Sequence, residues 1–279
     1  MNLNLLGIDF EDWYHPQLVE PFVAKDKKIP TMHKGLDKIL ELLRKNNTTA
    51  TFFMVGEILQ ENPEILDRII SEKHEIAFHT MTHTRLDDEN FQLKFNDELK
   101  QFDKLTSKKS KGFRAPTFSL NKESSWYLDF LEKNGYLYDS SIVPAKTSMY
   151  GFPNAEISPY KISKKSLEKN DNDGKIIEFP ILISKIANRK IPIGGGFYLR
   201  FFLLNKIKKS IRDYEKKNIP STFYIHSWEL TPEYFPKISL PLKNKFVTFY
   251  NIKNTYSKLD SILKEFNFGT FQNYLKNIK

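Results

Sequence analysis

The sequence predicts an α/β protein built on a parallel sheet or barrel, and three observations carry that prediction. Apolar runs of strand length alternate with amphipathic stretches of helix length. Polar residues capable of chemistry collect where those apolar runs stop, the end at which parallel α/β folds place their sites. At 279 residues, 40% hydrophobic and 14% aromatic, the chain can bury a sizeable core as one large domain or two small ones.

The first run, residues 3–10, reads as a buried strand that stops in Glu11-Asp12-Trp13-Tyr14-His15-Pro16. Asp9, Glu11 and Asp12 put three acids at its end. Buried and unpaired they would be costly, so they form either a solvated turn or a metal ligand plus a base. In extended chain Asp9 and Glu11 share a side and Asp12 takes the other, unless the turn overrides that alternation. Thr31 is placed to cap a helix over 32–46, with Met32, Leu36, Ile39, Leu40 and Leu43 on one face. Residues 50–55 give the next strand, and Pro63 opens a helix to about residue 72. The strand at 74–78 runs into His79-Thr80-Met81-Thr82-His83, two imidazoles four positions apart.

Asp87-Asp88-Glu89 begins a long helix to about 107 that buries Phe91, Phe95, Leu99, Phe102 and Leu105. Residues 112–118 are a short strand carrying Arg114-Ala115-Pro116, followed by a helix over 122–134 and a strand and loop at 135–141 that carries Asp139. From 142 to 174 three prolines and a polar run weaken the pattern into an irregular excursion, and 175–180 returns to strand. The glycine-rich loop at 191–198 lacks the spacing and lysine of a phosphate-binding loop. It reads as a tight turn or a close backbone approach to a ligand. A basic amphipathic helix over 200–217 leads to a strand that ends in His226-Ser227-Trp228-Glu229. A proline-rich connection, a helix over 255–266 and a short terminal segment complete the chain. No internal repeat and no clear linker divides it.

There is no cysteine, so disulfides and thiolate metal sites are ruled out and any metal must be held by histidine and carboxylate. The first nine residues have no basic stretch and reach an acid, unlike a signal peptide, and no apolar run approaches the ~18 residues of a membrane span. The expectation is a cytoplasmic protein, with peripheral contact at the inner face of the membrane left open. The net charge of +9 comes from scattered residues without a nucleic-acid motif, so no nucleic-acid partner is expected. Lysine-rich faces such as Lys206–Lys209 and Lys216-Lys217 are either solvated surface or an attraction for anionic lipid or a sugar-diphosphate carrier.

Two histidines and one carboxylate make a three-ligand set that leaves a position for water on a divalent ion. A nearby carboxylate can take the water's proton and a second acid can protonate a departing amine, which together suit amide hydrolysis. The H-x-x-x-H spacing alone is weak; its position at a strand end, with Asp9, Glu11, Asp12, Arg114, Asp139 and His226 at the other ends, carries the reading. His15 is either structural or in contact with metal or substrate, while His33 and His74 read as structural or exposed. Trp13, Trp228 and Tyr198 are sugar-stacking or packing residues, and Phe152, Phe197 and Phe235 carry no discriminating signal.

These residues resemble the NodB-homology polysaccharide deacetylases, carbohydrate esterase family 4. Glu11-Asp12 after an apolar strand resembles the family's Asp-Asp motif, His79–His83 its H-[ST]-x-x-H motif, Arg114-Ala115-Pro116 its R-x-P motif, and Ile225-His226 its apolar-plus-histidine motif. The likeness covers about residues 3–230. Asp9–Trp13, Gly194–Arg200 and His226–Leu230 further resemble the exopolysaccharide-biosynthesis branch, whose members carry a C-terminal extension.

The resemblance implies a distorted (β/α)7-type barrel, a single domain with residues 1–230 as barrel and 231–279 as an extension packed on it. It implies Asp12, His79 and His83 as metal ligands, Glu11 as general base oriented by Arg114, and His226 as general acid. Asp9 is the reserve base, or a residue supporting Glu11. Thr117 would supply an oxyanion N–H, and Asp139 would position substrate or support His226. The cofactor would be a divalent metal, Zn2+ first, with Co2+, Ni2+ or Mn2+ as alternatives. The partner would be an N-acetylated glycan, lipid- or nucleotide-linked. Two rivals remain: a deformylase or O-acetyl esterase on the same barrel, and a non-catalytic carbohydrate-binding protein.

Overall fold

The computed structural model describes residues 3–277. The reading of the N-terminus rested partly on Met1 and Asn2, which lie outside the described residues. The strands are β1 (Asn4–Phe10), β2 (Thr51–Met54), β3 (Glu75–Phe78), β4 (Gly112–Phe113), β5 (Tyr138–Asp139), β6 (Tyr160–Ile162), β7 (Ile176–Glu178), β8 (Ile183–Ile186), β9 (Arg189–Pro192), β10 (Thr222–His226) and β11 (Phe268–Gly269). Seven of them run parallel in the order β10-β1-β2-β3-β4-β5-β7, as the alternation of strand and helix requires, and β6 adds to β7 antiparallel.

The sheet curls until its two ends touch. Closure comes from isolated bridges, Ile181 to Thr222 and Gly195 to Tyr224. Leu182 N–H donates to the Thr222 carbonyl at 3.0 Å and Tyr224 N–H to the Gly194 carbonyl at 2.7 Å. The glycine-rich loop thus makes a close backbone approach to β10. A Cβ at Gly195, whose φ is +129°, would fall 1.6 Å from the Tyr224 carbonyl oxygen. The result is a distorted seven-staved barrel in a single α/β domain.

Strand periodicity sorts the side chains into two cores. Leu6, Ile8, Phe10, Phe52, Met54, Ile76 and Phe78 face the helices, whose apolar stripes include Leu36, Ile39, Leu40 and Leu43 and, on the helix Phe91–Leu105, Phe91, Phe95, Leu99 and Phe102. Leu5, Phe53, Ala77, Tyr138 and Phe179 form a second, interior cluster with Phe271 and Leu275. Phe271, in the helix Phe271–Asn277, stacks on Tyr138 at 5.2 Å and meets Phe53 and Phe179 edge-on. β11 pairs with β1. Buried Glu75 accepts from the Tyr138 and Thr51 hydroxyls, both at 2.6 Å, and from the Gln272 N–H at 3.1 Å. The C-terminal residues thus contribute a strand to the sheet and a helix to the barrel's packed interior.

Some local expectations differ. Thr31 makes no side-chain cap; its hydroxyl donates to the Tyr234 carbonyl and a 3-10 turn (Met32–Gly35) precedes the helix Leu36–Lys45. The proline-rich connection contains an additional helix, Leu242–Phe249, started by Pro241 rather than by a polar cap. A β8–β9 hairpin precedes the glycines. No helix of the described residues is long and apolar enough to cross a membrane.

Candidate functional site

The catalytic candidates gather because parallel strands end together. Asp9 lies opposite His226 in the β1–β10 register, and β3 and β4 deliver His79 and Arg114 one residue past their ends. Along β1 the inward positions are Leu5, Gly7 and Asp9, and Glu11 continues that side. Asp12 falls on the other parity.

That parity overturns the expected ligand set. The Asp12 carboxylate accepts from the backbone N–H groups of Trp13 (3.0 Å), Thr31 (3.0 Å) and Met32 (3.2 Å), turned away from the histidines. Glu11, expected as the general base, is the carboxylate that lies beside the two histidines. Its Oε2 lies 2.6 Å from His83 Nε2 and 3.9 Å from His79 Nε2, and donor atoms of these three residues all fall within 4.8 Å of one another. His79 donates from Nδ1 to the Arg114 carbonyl at 2.8 Å, which leaves its Nε2 lone pair directed at the cluster. Burial holds His79 neutral, with its pKa down at about 4. Burial by itself would raise the Glu11 pKa, but His83 and His226 outweigh it and keep the carboxylate ionised. One anionic oxygen and two imidazole nitrogens, without sulfur, suit a borderline divalent cation such as zinc.

The second correction concerns Arg114. It was expected to orient Glu11, yet its Nη1 donates to Asp9 Oδ1 at 2.6 Å, while Nε and Nη2 donate to the Ser140 carbonyl and hydroxyl. The guanidinium lies in the barrel interior over the Phe53 ring, 3.9 Å from its centroid. Gly7 makes the space: a Cβ there would sit 2.6 Å from Nη1. Asp9 is thereby fixed with its Oδ2 4.0 Å from His226 Nε2.

His226 is oriented by groups that the sequence reading did not single out. Its Nδ1 donates to Glu229 Oε2 at 2.9 Å, and Glu229 Oε1 accepts from buried Arg200 at 2.7 Å. Arg200 spends its other donors on the carbonyls of Val247, Thr248 and Tyr250. Burial alone would lower the His226 pKa, but Glu11, Glu229 and Asp9 outweigh it and hold it up at about 9. The His226-Ser227-Trp228-Glu229 spacing was the available signal, because at a strand-to-helix turn it brings the Glu229 carboxylate back to the His226 backbone N–H, from which it accepts at 3.2 Å.

The remaining candidates fall into place around this centre. Trp228 lines the cleft with its ring stacked on His226 at 5.1 Å and its Nε1–H donating to Glu11 Oε1 at 2.9 Å. Asp139 lies outside the cleft lining and is not paired with His226. It is fully buried, accepts from Tyr127 and from Ser140 and Ser141, and so supports the loop that holds Arg114. His15 accepts from the Asp12 N–H, donates to Glu57 and stacks on His83, with both nitrogens used. Trp13 packs in the core with its N–H on the Ile29 carbonyl, and Tyr198 stacks on Phe202. Thr117 lines the cleft beside His83. Both have positive φ, 54° and 58°, conformations of a kind that clusters at functional sites. The cleft is lined by Asp9, Glu11, His79, His83 and His226 at its floor and bounded by apolar side chains including Phe118, Met149 and Phe197.

Parts of the chain resemble known proteins. Residues 26–137 match the family model for polysaccharide deacetylases, and residues 140–276 match a domain of unknown function, DUF3473. An 87-residue segment is 37% identical to a peptidoglycan-N-acetylglucosamine deacetylase of Bacillus cereus, covering 30% of this chain and 40% of that protein. A 52-residue segment is 44% identical to a chitooligosaccharide deacetylase of Rhizobium leguminosarum, covering 18% and 23%. The matches thus span less than half the length of these relatives.

Solved structures show the same fold. One assigned to the polysaccharide deacetylases, from Mycobacterium smegmatis, superposes with a TM-score of 0.60 at 15% identity over 100% of this chain and 91% of that one. Another, from Pseudomonas aeruginosa, gives 0.56 at 13% identity over 96% and 87%. Over residues 26–137 the chain carries a polysaccharide deacetylase domain, in a fold shared with these structures.

Proposed function

We propose that the protein is a metal-dependent hydrolase that removes N-acetyl groups from a sugar or glycan intermediate in cell-surface polysaccharide biosynthesis. The observation that carries this reading is the convergence of Glu11, His79 and His83 beside an Asp9–Arg114 pair and a Glu229-oriented His226. Glu11, His79 and His83 would hold the metal, Zn2+ first, with Co2+, Ni2+ or Mn2+ as alternatives. When bound, it polarises the acetyl carbonyl and acidifies water.

The chain's own groups do the proton work. Asp9, fixed by Arg114, takes a proton from the attacking water as the oxygen–carbon bond forms. The Thr117 backbone N–H faces the developing oxyanion. His226 gives its proton to the amine as the carbon–nitrogen bond breaks, releasing acetate and a free amino sugar. The glycan would be lipid- or nucleotide-linked, and the setting cytoplasmic. Acetate release from N-acetylated oligosaccharides, measured with and without chelator, tests the reading. Turnover that survives chelation, or full activity in His79→Ala, overturns it.

A further inference from the structure

The positive charge of the chain is unevenly placed. Residues 179–212 and 234–259 hold thirteen of the 43 Lys and Arg and none of the 34 Asp and Glu, so elsewhere thirty bases face 34 acids. The two acid-free stretches meet in the fold. Arg200 donates to carbonyls of Val247, Thr248 and Tyr250, and Lys258 Nζ donates to those of Leu199, Arg200 and Phe202.

At that junction aromatic rings from both stretches form one connected patch. Phe197 stacks on Phe201 at 5.3 Å and contacts Phe246 at 6.0 Å, while Tyr250 meets Phe246 at 4.9 Å and Phe201 at 6.1 Å. Phe197 lines the cleft together with Val247 and Thr248, so the patch begins at the cleft's mouth. Its outer members are open to solvent: Phe201 is 49% exposed, Phe246 48% and Tyr250 40%. Leu203, two residues beyond Phe201, is 81% exposed, and Leu242, one helical turn before Phe246, is 87% exposed. Lys237, Lys243, Lys245 and Lys253 are all exposed along the same stretch.

Connected apolar surface of this kind marks an interaction site, and the charge selects the partner. Rings and leucines seated at the acyl boundary, with lysines reaching anionic headgroups, describe a protein face that lies on a bilayer. A soluble glycan would use the rings but neither the bare leucines nor the unopposed lysines. A second copy of the chain would set like charges against each other. We propose that this face docks on an anionic membrane surface and presents the mouth of the cleft to a glycan carried on a lipid. The substrate clause rests on the deacetylase reading; the docking itself does not.

Co-sedimentation of the full chain with vesicles tests the docking without any turnover. Mixed phosphatidylcholine–phosphatidylglycerol vesicles should capture the protein, and phosphatidylcholine alone should capture far less. Leu203→Asn with Leu242→Asn should lower the partition coefficient by about tenfold or more per leucine that inserts, and Lys243→Gln with Lys245→Gln by about fivefold per lysine. All four positions lie outside the site, so unchanged melting and unchanged acetate release from a short soluble oligosaccharide should accompany the loss. Equal capture by both vesicle types, or variants that bind like wild type, would overturn the docking. So would a dimer in sedimentation velocity that the leucine variants disperse, or a loss of soluble-glycan affinity with vesicle binding intact. Absence of any acetate release would sink the deacetylase reading and leave the vesicle result standing.

Discussion

Replacing Glu229 by glutamine should uncouple the general acid from its environment while leaving its ring in place. Glu229 Oε2 lies 2.9 Å from His226 Nδ1, and Asp9 and Glu11 each bring an oxygen to 4.0 Å from His226 Nε2. A single charge at about 4 Å in partly buried surroundings contributes on the order of 4 kcal/mol. Held at about 9 against an ordinary 6.5, the protonated imidazole is favoured by about 3 kcal/mol net of burial.

Glutamine keeps a hydrogen-bond acceptor but removes the charge, so His226 should titrate about one to two units lower, on the scale of about 1.4 kcal/mol per unit. The assay is imidazole NMR on chelator-treated protein across the alkaline range. The sign follows from the raised value. The stability supplied by protonated His226 is fully present below about 6.5 and is lost as pH rises through about 9. Glu229→Gln also strands buried Arg200, at about 3–5 kcal/mol. The double variant with Arg200→Met therefore separates folding from titration. A wild-type His226 that is already neutral at pH 7, or a Glu229→Gln variant that titrates as wild type, would refute the reasoning.

Gly7→Ala should destabilise the fold by about 1–3 kcal/mol and depress activity further, because its Cβ displaces the guanidinium that fixes Asp9; melting and acetate release measure both. His74 accepts from the Ala50 N–H, and burial holds its pKa down at about 4. Its stability contribution should therefore be intact above about 6.5 and lost as pH falls towards 4, by at most about 3 kcal/mol. His74→Gln should flatten that slope in denaturant titrations. Asp12→Ala leaves three N–H donors, two of them buried, without their acceptor and should cost about 1–3 kcal/mol or more, with metal affinity retained.

The sequence carried the barrel and most of the site because strand ends are legible. Apolar runs ending in His79, Arg114 and His226 sit side by side for the reason that parallel strands finish at one mouth. The β1 alternation also pointed to Asp9 and Glu11 as partners on one side. The motif likeness led to Asp12 instead, and backbone donors from Thr31 and Met32, nineteen and twenty residues away, decided against it. Arg200 and Glu229 were hidden because their pairing spans 29 positions and depends on how the helix Leu242–Phe249 turns its carbonyls inward. Phe271 was equally silent: nothing local shows that a terminal helix places a ring inside the barrel.

On the proposed function Glu11, not Asp12, completes the metal site with His79 and His83. Metal content and zinc affinity of Glu11→Gln and Asp12→Asn, measured by elemental analysis and competition with a chelating dye, separate the two carboxylates. Glu11→Gln should stay folded and lose tight metal binding and acetate release together, whereas Asp12→Asn should melt lower yet bind zinc as wild type does. Loss of metal in Asp12→Asn with full occupancy in Glu11→Gln would contradict the account.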